Sequence, residues 1–132
     1  MYLPNPVSIG ALKAIAYGGF GALARPFSTR AGSLWGFAAV RVLAGWLVGL
    51  AFFAVVAALP ASEHWSDRQV VLYYTPARFV VWAALLHVWF RPKGGTAALL
   101  GWSAAGTALS ACIDLVVFHF VNDVSWLRIA WC

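Results

Sequence analysis

Residues 34–59 read LWGFAAVRVLAGWLVGLAFFAVVAAL, and this run decides the fold. It is apolar around its whole circumference, carries a single charge at Arg41 and stops at Pro60. A helix rising 1.5 Å per residue needs ~20 residues to cross ~30 Å of hydrocarbon, so the run is long enough to span a bilayer. Two further runs share its character. One extends from about Gln69 to Phe90 and is closed by Arg91-Pro92; the other extends from about Thr96 to Val121 and is opened by Gly94-Gly95. The fold class is therefore all-α, a polytopic transmembrane helix bundle with spans at about 34–59, 69–90 and 96–121.

The stretch Val7 to Ala24 is a shorter version of the same pattern. Lys13 is its one charge, and it lacks the broad polar face of a helix lying on a membrane surface. Four glycines (Gly10, Gly18, Gly19, Gly21) weaken it as an isolated helix. Ala22-Leu23-Ala24 resembles a signal-peptidase site, but no basic segment precedes it. The expectation is a fourth, short membrane helix at about 7–24. Composition agrees: 63% of the 132 residues are hydrophobic and 10% charged, against about 25% charged in soluble domains. No small water-soluble globule hides that much apolar surface. Residues 1–132 read as one integral membrane domain, without internal repeat, low-complexity tract or linker.

The net charge of +5 is not a nucleic-acid signature, because the basic residues flank apolar runs. Arg25 and Arg30 lie in the segment 25–33, and Arg91 and Lys93 in the turn 91–95. By the positive-inside rule both segments are expected on the cytoplasmic side of the cell inner membrane. The turn 60–68, which holds Glu63, His64 and Asp67, is then outside, as is the C-terminus. Several of the eight tryptophans fall near helix ends, where amphipathic rings favour the headgroup layer.

Charges inside the spans carry the most information. Arg78 and Asp114 lie at similar depth on spans that must be antiparallel neighbours, so they are expected to pair. A lone charge at mid-membrane costs roughly 2.5–3.5 kcal/mol or more, and charge-assisted hydrogen bonds offset much of it. The pair serves equally well as a structural lock or as part of a substrate or proton pathway. Ser103, Thr107, Ser110 and Asp114 recur at helical spacing and form one polar face, the usual sign of close helix contact. Arg41 shares a face with Gly45 and Gly49, a G-x-x-x-G pair that permits close backbone approach. Such a contact would hand Arg41 carbonyls or a carboxylate; otherwise its long side chain snorkels to the headgroups. Pro76 removes a backbone hydrogen bond to Leu72. Cys112, within an apolar run, reads as a small buried hydrophobe.

On the outer rim, His64, His119 and Asp123 are residue types that suit a divalent metal, although their spacing matches no metal motif. His87 lies apart, near the inner end of its helix. No nucleophile elbow, H-E-x-x-H, C-x-x-C or phosphate loop is present, so no catalytic residue and no cofactor is assigned. The run Gly18-Gly19-Phe20-Gly21-Ala22-Leu23-Ala24-Arg25 resembles the opening of the small bacterial fluoride channels. It is one residue short of their pattern, Arg41 stands in the region of their pore asparagine, and their Thr- and Phe-rich third helix is absent. The resemblance spans only those residues and implies no function. Arg41 together with Ala84-Leu85-Leu86-His87-Val88-Trp89 is similar to the three-helix anchors of succinate dehydrogenase, without the Asp-Tyr pair that follows the histidine there. That likeness implies a haem- or quinone-binding anchor.

The functional expectation from sequence is a non-catalytic subunit or accessory component of a membrane complex, with other membrane subunits or copies of itself as partners. The alternative is a small oligomeric channel or transporter with Arg78, Asp114, Arg41 and Ser110 in its pathway. An intramembrane enzyme stands third.

Overall fold

A computed structural model describes residues 6–59 and 65–120, without the side chains of residues 6, 67, 68 and 118–120. Four long helices follow one another: α1 (Pro6–Ala24), α2 (Leu34–Ala57), α3 (Asp67–Trp89) and α4 (Gly95–Phe120). A single 3-10 turn, Arg25–Phe27, leaves α1. Each helix contains a window long and apolar enough to cross a membrane, so the N-terminal stretch joins the other three spans. Short connections force an up-down-up-down course. α1 packs on α2, α2 on α3 and α3 on α4, and α1 closes the ring against α4.

Local chemistry sets the helix ends. The Ser33 hydroxyl accepts from the Gly36 amide at 3.2 Å and starts α2. Ser66 and Gln69 form a capping box at the start of α3: the Ser66 hydroxyl accepts from the Gln69 amide at 3.3 Å, and the Ser66 amide donates to Gln69 Oε1 at 2.7 Å. α3 runs through Pro76, and the Thr75 hydroxyl donates back to the Val71 carbonyl at 2.9 Å. The turn into α4 passes through left-handed backbone at Arg91 (φ 47°), Gly94 (98°) and Gly95 (69°). Glycine takes that conformation freely, whereas Arg91 pays a steric penalty at its Cβ.

The two basic connections are stitched together. The Thr29 amide donates to the Arg91 carbonyl at 3.1 Å, the Arg30 amide to Phe90 at 3.0 Å and the Lys93 amide to Phe27 at 2.7 Å. The Arg30 guanidinium adds a bond to the Val88 carbonyl at 3.1 Å. Arg25, Arg30, Arg91 and Lys93 thus share one end of the bundle, as their common charge requires if that end faces one side of a membrane.

The outer surface is as apolar as the interior, with Val7, Ile15, Leu23, Trp35, Leu47, Val55, Leu72 and Val80 all more than 60% exposed. A bilayer is the solvent that such a surface needs. Cys112 belongs to this surface and is exposed, contrary to the sequence expectation. An apolar run does not separate inside from outside when both are apolar. The polar stripe on α4 does so: Ser103, Thr107, Ser110 and Asp114 are all buried, and Cys112 lies off that face.

Candidate functional site

The buried stripe of α3 recurs every fourth residue: Val70, Tyr74, Arg78, Trp82, Leu86 and Phe90. Read along it, the bundle has three layers. At the basic end, Trp82, Leu86 and Phe90 pack with Tyr17, Phe20, Phe37 and Ala38 into an aromatic core. Phe20 meets Trp82 edge-on at 4.8 Å between ring centroids, and Phe37 meets Phe90 at 4.9 Å. At the other end, Val70 and Tyr74 pack with Val48, Phe52, Phe53 and Trp65. Between the two lies a charged layer.

Each helix contributes one charge to that layer: Lys13 from α1, Arg41 from α2, Arg78 from α3 and Asp114 from α4. All four are at least 95% buried. Asp114 is the hub. One carboxylate oxygen forms an ion pair with Lys13 Nζ at 2.7 Å, and the other pairs with Arg78 Nη2. The Arg78–Asp114 pair expected from helix depth is therefore present, and Lys13 is a third member that the depth argument did not supply.

Arg41 is 2% exposed and does not snorkel. Among the described residues it also receives neither carbonyl nor carboxylate, contrary to the expectation from its G-x-x-x-G face. Its guanidinium carbon sits 4.8 Å from the Trp82 ring centroid and 5.1 Å from that of Tyr17, over the faces of both. Gly45 and Gly49 are buried beside it as their small size predicts, but the Gly45 carbonyl accepts from the Tyr74 hydroxyl at 3.2 Å instead. Tyr74 also lies under Arg78, 4.8 Å from its guanidinium carbon. Ser110 and the Tyr17 hydroxyl share a hydrogen bond of 3.0 Å. Tyr17, Tyr74 and Trp82 thus brace the cations, a role hidden in sequence because aromatic residues at helical spacing read as ordinary core.

The chain matches no known protein family, no characterised protein and no solved structure.

The site's hydrogen-bonding balance is uneven. Arg41 Nε, Arg78 Nε and Nη1, Trp82 Nε1, Thr107 Oγ1 and both Asp114 carboxylate oxygens are buried without a hydrogen-bond partner, the carboxylate being held by its ion pairs. The four nitrogens are obligate donors, and the carboxylate oxygens are acceptors. A small cavity of about 10 Å³ lies beside Arg41, lined by Lys13, Tyr17, Arg41, Val42, Gly45 and Trp46. Among the described residues the layer therefore sets three cations around one acid, beside a small space.

Of the remaining candidates, His64, Asp123 and the side chain of His119 lie outside the described residues. Among the described residues no group of three metal-ligating side chains occurs. His87 is exposed and lines a cleft with Arg91 and Lys93 at the basic end.

Proposed function

We propose that the chain is a small channel or transporter in which a charged solute passes through the layer of Lys13, Arg41, Arg78 and Asp114. The observation that carries this reading is that all four helices spend a charged residue on one buried layer. Ionisable groups within a membrane are costly, and their usual use is in substrate, ion or proton pathways. A lock between two helices needs one cation and one acid. Two further cations add desolvation cost without adding an acid, which a purely structural role does not explain.

The accessory-subunit reading retains one specific support. The aromatic layer of Phe20, Phe37, Trp82, Leu86 and Phe90 closes the basic end of the bundle. Transport through a single copy requires that layer to part, or the path to run along a contact with a second copy. In this reading the basic end faces the cytoplasm and the turn 60–68 faces outside. An impermeant thiol reagent added from outside should reach a cysteine placed at Ser62 and miss one placed at Gly94.

Reconstitution tests the function. Proteoliposomes bearing the whole chain should move small ions faster than protein-free vesicles, and Arg78→Gln should slow that movement by about tenfold or more. Ion movement no faster than in protein-free vesicles, together with co-purification of a different membrane protein, would sink the transport reading and favour the accessory one.

A further inference from the structure

We propose that the cleft between the end of α3 and the start of α4 holds the headgroup of one anionic phospholipid. This site stands apart from the charged layer and does not depend on transport.

The lining sets the ligand's chemistry. Arg91 and Lys93 bring two cations to the cleft, His87 a ring nitrogen that donates, and Thr96 a hydroxyl. No acid lines it, and among the described residues no ion pair engages Arg91 or Lys93. The Arg91 carbonyl is taken by the amide and the hydroxyl of Thr29, which fixes the backbone from which the guanidinium extends. The cleft also takes in Gly95 and Thr96, the first residues of α4, whose amides have no acceptor within their own helix. A guanidinium meets a phosphate through two parallel hydrogen bonds, and an ammonium meets it as a point charge. The same two cations repel the ammonium of a zwitterionic headgroup, and no carboxylate in the cleft receives it. The chemistry that fits is a phosphodiester whose headgroup carries no positive charge.

Size agrees. The cleft has a volume of about 370 Å³, at the lower end of the ~300–1,000 Å³ typical of small-molecule sites. A free inorganic phosphate leaves most of that space empty, whereas a phosphate with its glycerol and polar head uses it. A Cβ built on Gly95 would meet nothing within 4 Å, so the cleft is open there.

Position decides between a lipid and a free anion. The cleft lies at the basic end, where α3 leaves the apolar body of the bundle and α4 enters it. Leu99 forms part of its wall, and the surface on either side turns apolar. Val88, next to His87, is 56% exposed, and Leu100, next to Leu99, is 47% exposed. A ligand with its phosphate on Arg91 and Lys93 lays its acyl chains along that surface; a free anion gains nothing from it. Basic pockets at this level of a membrane protein are suited to anionic headgroups.

The test uses the full chain in phosphatidylcholine nanodiscs with stepwise increasing phosphatidylglycerol, and follows thermal unfolding. The expected result is a saturable rise in Tm, with one phosphatidylglycerol retained per chain in native mass spectrometry. Arg91→Gln removes the guanidinium and should weaken half-saturation by about 10-fold or more. Arg25 is at the same end but does not line the cleft. Arg25→Gln removes an equal charge and should weaken half-saturation by about fivefold or less. In phosphatidylcholine alone, both variants should unfold as the wild type does. Where Arg91→Gln does not fold, Lys93→Gln carries the comparison. Equal losses in the cleft variant and in Arg25→Gln mean a diffuse attraction of the basic end for anionic lipid, and overturn the proposal. So does a Tm indifferent to phosphatidylglycerol. A comparable rise from sodium phosphate in pure phosphatidylcholine discs, at matched ionic strength, gives the cleft to a free anion and overturns the lipid assignment.

Discussion

The aromatic core and the charged layer are built from the same helices, less than two turns apart, and they obey opposite rules. On α3 the step from Trp82 to Arg78 is a single turn. In the aromatic core, Trp82, Leu86, Phe37 and Phe90 are completely buried and packed mainly against rings and alkyl chains, Trp82 alone also meeting the Arg41 guanidinium. Van der Waals packing supplies the stability there, as it must where lipid and protein interior are equally apolar. In the charged layer the burial is as complete, yet donors remain without acceptors and cations outnumber acids. The first region is held by packing, the second by charge. A fold selected only for stability has reason to replace the second with more of the first.

The largest effect is expected at the hub. Asp114→Asn leaves Lys13, Arg78 and Arg41 buried together without a counter-charge, and should cost about 3–5 kcal/mol, read as a loss of folded yield and Tm. Exchanging the pair, with Arg78→Asp and Asp114→Arg together, sharpens the point. An isolated pair survives exchange; here the new Arg at 114 meets Lys13. Rescue should therefore be incomplete, and full rescue would mean that Lys13 does not belong to the layer.

The aromatic core should break differently. A Cβ on Gly106 would lie 2.5, 2.6 and 2.8 Å from atoms of the Trp82 ring, which is boxed in by Tyr17, Phe20 and Phe37. Gly106→Ala should destabilise by about 1–3 kcal/mol in thermal unfolding, the usual result of overpacking. A normal Tm in Gly106→Ala would show that the ring has room to move.

Smaller changes separate the layers further. Tyr17→Phe removes the hydrogen bond to Ser110 but keeps the ring under Arg41, so it should cost about 0.5–1.5 kcal/mol in Tm-derived stability. Arg91→Gly relieves left-handed backbone at the turn and should be neutral or stabilising by up to about 1 kcal/mol, far from either layer. A large loss at Arg91 would instead assign its side chain a role at the basic end.

How much of this was legible before folding differs residue by residue. Arg78 and Asp114 were found because antiparallel neighbours joined by a short turn match in depth. Lys13 was visible as the one charge of an apolar helix. It was not connected to the pair, because pairing α1 with α4 depends on closure of the ring and not on any adjacent turn. Arg41 was placed on the correct face, beside Gly45 and Gly49, but its partners were misjudged. Small residues predict a close approach, and they do not say which group on the other helix arrives. Tyr74 took the Gly45 carbonyl, and Tyr17 and Trp82 took the cation.

By itself the sequence determined three helices of membrane-crossing length and pointed to a fourth, about where they begin and end, and which charges lie within them. Those facts follow from hydropathy, helix rise and capping, which are local and additive along the chain. Only the tertiary structure decided that Lys13, Arg41, Arg78 and Asp114 share one layer, that aromatic faces rather than an acid hold Arg41, and that Cys112 looks outward. In a bilayer the apolar signal is the same on the inner and outer faces of a helix. The rotation of each helix about its axis is therefore set by its neighbours, through side chains distant in sequence, and a one-dimensional pattern does not carry it.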